Sequence, residues 1–160
     1  MFSDVFTIMG LVQEIKKIAL FNVRVQLGFG GVPMTELSAE KEAIKAVHTY
    51  IEGLNDKDPT KLADSLHFPH IRSMKDGTFF EWHSPKEYME AFKNRLKSSG
   101  WDHTKLIKTS TEKLSASKVH VSIEFGRYTK TGVLINNYKS LYVVIHDQGY
   151  WGIKFGSGTG

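Results

Sequence analysis

Over the last third of the chain, apolar and polar residues alternate with the period of a strand. Val119, Val121, Ile123 and Phe125 interleave with His120, Ser122, Glu124 and Gly126, which predicts a strand with one buried face. Lys130-Thr131-Gly132 then turns the chain. Val133 to His146 follows, dense in Tyr, Val, Leu and Ile, and Asp147-Gln148-Gly149 turns it again. Trp151, Ile153 and Phe155 are expected on one face of a last strand. The stretch Trp101–Phe155 therefore reads as an antiparallel meander, with everything upstream available to cover it.

Upstream the apolar period lengthens to that of a helix. Ile44, Val47, Ile51 and Leu54 form one stripe, with Ser38 as the expected N-cap, Glu40 in the first turn, and Gly53 and Asn55 marking the end. Asp58-Pro59 is a second start signal, a capping carboxylate followed by proline at the first helical position, for a short helix carrying Leu62 and Leu66. His67 to Met74 reads as a strand whose Pro69 puts it at an edge or near the strand's start. Asp76-Gly77 is a hairpin turn, and Thr78 to Trp82 is the returning strand. Ser84-Pro85-Lys86-Glu87 is a capping box opening a third helix with Tyr88, Phe92 and Leu96 on one face and Met89 beside them. Gly100 stops it. Helices, a hairpin, a helix and a meander make an α+β order rather than alternating βαβ units.

Residues 1–33 fit less readily. Asp4, Glu14, Lys16, Lys17 and Arg24 interrupt an apolar-rich stretch, so it lacks the run of about 20 apolar residues a membrane span needs. The charges also sit in the wrong place for a secretory signal. Ile8, Leu11, Ile15 and Ile18 fall at helical spacing, which allows a short amphipathic helix. Alternatively, Met34 is the natural start and the leader is extra translated sequence. The expectation is an N-terminal appendage, 1–33, ending in the linker Gly28-Phe29-Gly30-Gly31, and a single domain, 34–160.

Composition narrows the chemistry. Among 160 residues there is no cysteine, which removes disulfides, thiolate catalysis and cysteine-ligated zinc. A net charge of +4 arises from 21 basic and 17 acidic residues spread along the chain, so no nucleic-acid footprint stands out. The His67/His70 spacing would pair on a helix, but on a strand it sends the two rings to opposite faces, and no metal is expected. There is no phosphate-binding glycine loop and no nucleophile elbow, so no cofactor is expected. A cytoplasmic location is the matching expectation.

The element order resembles the nuclear transport factor 2-like superfamily, which includes ketosteroid isomerase and polyketide cyclase relatives. The resemblance spans about Leu37 to Phe155. It rests on Phe125-Gly126-Arg127-Tyr128, on Tyr138-Lys139-Ser140-Leu141-Tyr142-Val143-Val144, and on Gly149-Tyr150-Trp151-Gly152-Ile153-Lys154. It implies a cone: three N-terminal helices on a curved, mostly antiparallel sheet, with a pocket on the concave face. Dimerisation through the outer sheet face is common in the superfamily. That fits a strand with Leu141, Val143 and Ile145 on one face and Tyr138, Tyr142 and Val144 on the other, so a homodimer is expected.

In isomerase-like members the general base is an aspartate on the strand equivalent to 67–74. Here that stretch reads His70-Ile71-Arg72-Ser73-Met74, with no aspartate before Asp76. The candidate catalytic pair is instead His70, an imidazole that titrates near neutrality, and Arg72, an anchor for a carboxylate or a developing oxyanion. Binding backbone carbonyls, or pairing with Glu81 or another local acid, is the structural alternative for both. Arg127, in phase with Val119 to Phe125, and Tyr128 are candidate ligand contacts, with Trp82, Tyr88, Phe92 and Trp101 as an aromatic pocket wall or simply as core. The functional expectation is binding of a small hydrophobic or anionic molecule in the cone, with isomerase-, cyclase- or dehydratase-type acid–base chemistry as its catalytic form. The alternative is a non-catalytic homodimeric structural or protein-interaction module.

Overall fold

A computed structural model describes residues 34–160, and side chains from Ala39 onward. The expectations for residues 1–33 lie outside the described residues. The order is α1 (Met34–Asp56), α2 (Pro59–Ser65), β1 (Leu66–Ser73), β2 (Phe79–Trp82), α3 (Pro85–Leu96), β3 (His103–Ser115), β4 (Lys118–Tyr128), β5 (Leu134–Asp147) and β6 (Tyr150–Gly158). The six strands form one sheet in the order β2-β1-β6-β5-β4-β3. All neighbours are antiparallel except β1 and β6.

Local signals account for most element boundaries. Asp58 caps α2 by accepting from the Thr60 N–H at 2.8 Å. Ser84 caps α3 by accepting from the Glu87 N–H at 3.2 Å. The Glu87 carboxylate reaches back to the N–H of His83 at 2.8 Å, one residue earlier than in the usual capping box. The expected turns carry backbone in the left-handed region: Gly77 at φ 84°, Gly132 at φ 81°, and Gln148 and Gly149 at 52° and 87°.

Three details differ from the sequence expectation. Helix α1 begins at Met34, so Ser38 lies inside it rather than capping it. Gly53 does not end α1 either: it lies within the helix where α2 crosses. A Cβ there would stand 3.0 Å from Lys61 Cβ and 3.2 Å from Leu62 Cδ2. The helix ends at Lys57, which takes a left-handed φ of 57° while the Lys57 and Asp58 N–H groups close on the Leu54 and Gly53 carbonyls at 3.1 and 2.9 Å; the Asn55 side chain pairs both the N–H and the C=O of Thr104 at 2.8 and 2.9 Å. Finally, Ile153 and Phe155 do not share a face. The β5–β6 register slips at Val143/Val144, so Ile153 pairs with Val144 and Phe155 with Val143. That one-residue slip keeps Ile153 in the core and turns Phe155 to the other face, where it is half-buried.

The core lies between the concave sheet face and the helices. From α1 come Ala39, Ala43, Ala46, Val47, Tyr50, Ile51 and Leu54, while Ile44 is only half-buried at the edge of the stripe. From the sheet come Val119, Val121, Ile123, Phe125, Tyr142, Val144 and Ile153, and from α3 come Tyr88, Met89, Phe92 and Leu96. On the outer face, Leu141 is exposed, and Val143, Ile145 and Phe155 are half-buried.

Candidate functional site

Strand β1 delivers two polar side chains to the concave face two residues apart. His70 and Arg72 are 1% and 2% exposed. Their surroundings differ completely.

The His70 Nδ1–H donates to the Ile153 carbonyl at 3.3 Å. Its ring stacks beside Trp82 at 6.2 Å and meets Tyr88 edge-on at 5.2 Å. Nε2 is buried without a partner. Desolvation, reinforced by the positive charge of Arg72, pulls the imidazole pKa down to about 4. His70 is therefore a neutral ring in an aromatic box. His67, three residues earlier, packs elsewhere. It stacks on Tyr150 at 4.2 Å, approaches Gly152 and bonds the Ile145 carbonyl at 3.2 Å.

Arg72 points into the cone. Its Nη2 donates to Ser140 Oγ at 3.3 Å and to the Gly160 carbonyl at 2.9 Å, and its guanidinium lies 5.9 Å from the Tyr142 ring centre. Gly156, opposite Arg72 across the β1–β6 ladder, makes the approach feasible. A Cβ there would stand 3.1 Å from Tyr142 Cε1 and 3.5 Å from Arg72 Nη1. Nε has no partner.

Arg72 opens onto a cleft of about 10 Å³, the room of roughly one water molecule. Its walls are Tyr50, Ile51 and Leu54 of α1, Phe92 and Arg95 of α3, Thr104 of β3, Phe125 and Arg127 of β4, and Tyr142 of β5. Arg127 is 6% exposed and lies 4.5 Å over Tyr138 and 5.7 Å from Phe125. Burial, then the neighbouring Arg95, pulls its pKa below the usual guanidinium value. Arg95 sits 5.5 Å from the Phe92 ring and donates weakly to the Met74 sulfur at 3.8 Å. The Nε atoms of Arg95 and Arg127, like that of Arg72, are buried and unpartnered. Among the described residues, no Asp or Glu side chain lies within ion-pairing distance of any of the three.

Of the residues singled out from the sequence, Arg72, Arg127 and Phe92 line this cleft. His70, Trp82 and Tyr88 form the adjoining aromatic box, joined to the cleft by the Tyr88–Tyr50 hydroxyl bond of 2.6 Å. Trp101 stands behind Phe92, edge-on at 5.1 Å, and donates from Nε1 to Thr104 Oγ1 at 3.0 Å. Tyr128 is away from the cleft, stacked on His103 at 5.4 Å, with the Lys105 ammonium 5.1 Å from its ring centre. Neither His70 nor Arg72 pairs with Glu81, which instead stands 3.6 Å from His83.

Sequence reasoning passed over Tyr50, Arg95 and Tyr142 as site residues. Tyr50 is detectable, since it falls three residues after Val47 and four before Leu54 on the α1 stripe. Tyr142 has the inward parity of β5. Arg95 carried only the signal of a basic residue in a last helical turn, which is also what an ordinary helix shows.

Residues 41–155 match the sequence profile of a family described as NTF2-like protein (DUF6841). The chain belongs to this NTF2-like family. No curated protein matches the sequence. Solved structures agree on the fold. A hexachlorocyclohexane dehydrochlorinase, LinA-type3 from Novosphingobium barchaimii, aligns with a TM-score of 0.62 at 12% identity, covering 79% of this chain and 89% of that one. An NTF-2-like protein of unknown function from Shewanella oneidensis gives 0.59 at 12%, covering 76% and 98%. An uncharacterised cystatin-like protein from Caulobacter vibrioides gives 0.58 at 12%, covering 76% and 89%. These likenesses carry the NTF2-like cone and no residue roles.

Among the described residues no group of three or more His, Asp or Glu side chains is assembled for a metal, and no helix is long and apolar enough to cross a membrane.

Proposed function

We propose that the cone of this NTF2-like protein is a binding site for a small organic molecule, at the cleft onto which Arg72 opens. One observation carries the reading: Arg72 is a fully buried guanidinium that faces a cleft, and among the described residues no Asp or Glu side chain pairs with it. A lone buried charge costs several kcal/mol, and a fold with no use for it would gain by replacing it with an apolar residue. The dehydrochlorinase among the fold neighbours supports a cone of this kind holding a small molecule, at the level of the fold alone. Binding, rather than acid–base turnover at His70, is the form the geometry favours. That ring is neutral with a pKa of about 4, and it stands in the aromatic box, off the cleft wall. The small volume of the cleft means that lining side chains, Arg95 among them, move aside on binding.

The competing reading, a non-catalytic module plugged by its own side chains, draws on the same small volume. It gives no reason for three unneutralised guanidiniums. In either case the site sits in a homodimer paired through the outer face, where Leu141, Val143, Ile145 and Phe155 offer apolar cover across the central strands. Sedimentation analysis of the full chain and of Leu141→Lys tests the pairing: a dimer that becomes monomeric supports it, and a monomeric parent removes it. For the site, a thermal-shift screen of the full chain against small apolar molecules is the test. A compound that raises the melting temperature of the parent and not of Arg72→Met supports the cone as a site. Shifts that persist in the variant place binding elsewhere.

A further inference from the structure

We propose that α3 is a lid fixed at one end: its C-terminal half, residues 91–96, swings away from the cone about an anchor at Tyr88, with residues 97–100 as the hinge. This goes beyond the reading of the cone as a binding site and describes the chain with nothing bound.

The first end of α3 is fastened. Ser84 accepts from the Glu87 N–H, and the Glu87 carboxylate bonds back to the His83 N–H. One residue on, the Tyr88 hydroxyl bonds that of Tyr50 in α1, and its ring meets Trp82 edge-on at 4.9 Å and His70 at 5.2 Å. Met89 beside it is fully buried. These contacts tie the end to α1, β1 and β2.

The other end is held differently. Phe92 meets one ring, that of Trp101, and Arg95 bonds outside its helix through the Met74 sulfur at 3.8 Å. Among the described residues, Lys93, Arg95 and Lys97 form no ion pair with an Asp or Glu side chain. Leu96 is the last buried side chain, and residues 97–100 are all exposed. The closing hydrogen bonds are local: the Lys97 N–H reaches the Asn94 carbonyl at 3.4 Å, and the Ser99 N–H and hydroxyl both reach the Leu96 carbonyl. Gly100 follows at φ 72°, where a Cβ would meet nothing nearer than Thr129 at 4.0 Å. A glycine in open space beside an exposed turn absorbs a change of chain direction at little steric cost.

Charge supplies an outward push. Arg95 and Arg127 line one narrow cleft. Burial first, and then the positive charge of Arg95, lowers the Arg127 pKa, so the two guanidiniums repel across a desolvated gap. Swinging the end of α3 outward takes Arg95 into water. Phe92 leaves with it, and room appears where the closed structure has space for about one water molecule. Re-exposure of Phe92 and Leu96 opposes the motion and keeps the closed form dominant.

Because the chain has no cysteine, one introduced thiol reports opening at one place. Thiol labelling of full-length Leu96→Cys, Met89→Cys and Val121→Cys, each beside its own denaturant unfolding curve, tests the lid. Labelling slow enough for reclosing to outpace it reads the opening equilibrium. In Leu96→Cys that equilibrium is expected to exceed the variant's own global unfolding equilibrium by about 100-fold or more, whereas in Met89→Cys and Val121→Cys the two agree within a few-fold. If Leu96→Cys labels only through global unfolding, the lid is overturned. If Met89→Cys opens as readily as Leu96→Cys, the anchor at Tyr88 is overturned. Adding Arg95→Met to Leu96→Cys is expected to slow labelling several-fold, and an unchanged or faster rate refutes the repulsion. No ligand enters these readouts, so failure of the lid and failure of the cone as a binding site are told apart.

Discussion

His70 and Arg72 stand two residues apart on one strand, on one face and at almost the same burial, and the fold treats them in opposite ways. Around His70 the protein built a neutral box: Trp82, Tyr88, and the Ile153 carbonyl to take its one proton. Around Arg72 it built a cationic cleft with Arg95 and Arg127. The difference follows from what each group can do when desolvated. An imidazole gives up its charge at modest cost, and burial with a neighbouring cation drives it to do so. A guanidinium keeps its charge, so its burial stays costly unless an opposite charge or strong acceptors meet it. The neutral box belongs to the fold. The charged cleft is where function is to be sought.

The largest expected effect is at Tyr142, on the wall of the charged cleft. Tyr142 lies under Arg72 and meets Tyr50 edge-on at 5.6 Å. Tyr142→Ala should destabilise by about 3–5 kcal/mol, as large-to-small core substitutions of aromatic residues do, read from denaturant midpoints. A loss below about 1 kcal/mol would mean that the interior is looser than its cleft volume implies.

The next effect is pH dependence. The folded pKa of His70, about 4, lies below its unfolded value near 6.5, so between these limits the unfolded chain binds more protons. The stabilisation is complete above pH 6.5 and is lost as pH falls toward 4, by up to roughly 3 kcal/mol. His67, also lowered mainly by burial, acts in the same direction. His70→Phe should flatten this slope, as followed by melting temperature between pH 4 and 7. An unchanged slope would assign the effect to other groups.

A smaller effect comes from the bond between the regions. Tyr88→Phe leaves the Tyr50 hydroxyl without its 2.6 Å partner and should cost about 1–2 kcal/mol. If it costs nothing, the tyrosine pair is not part of the box.

Much of this was legible in the chain, and what was not has identifiable causes. The alternation from Val119 to Phe125 and the Ser84–Glu87 cap are local signals that local physics obeys. The facing of His70 and Arg72 followed from strand parity, which held over His70–Ser73, where β1 pairs with β2. Phe155 was misplaced because a bulge reverses parity without leaving a mark in residue type. Tyr128 follows inward-facing Arg127, so strand alternation puts it on the other face, beside Gly126 and stacked on His103. Arg95 was invisible because its role depends on what stands opposite, and only the fold brings Arg72 and Arg127 there.

The most direct measurement is the stability of Arg72→Met beside the parent, in the absence and presence of a small molecule that raises the parent's melting temperature. If the charge serves a ligand, the variant melts at or above the parent, by the margin that replacing a buried charge with an apolar side chain allows, and it loses the ligand-induced rise. A variant that melts well below the parent, with no small molecule raising the parent's melting temperature, would show that Arg72 holds the fold together through Ser140 and Gly160, and would contradict the account.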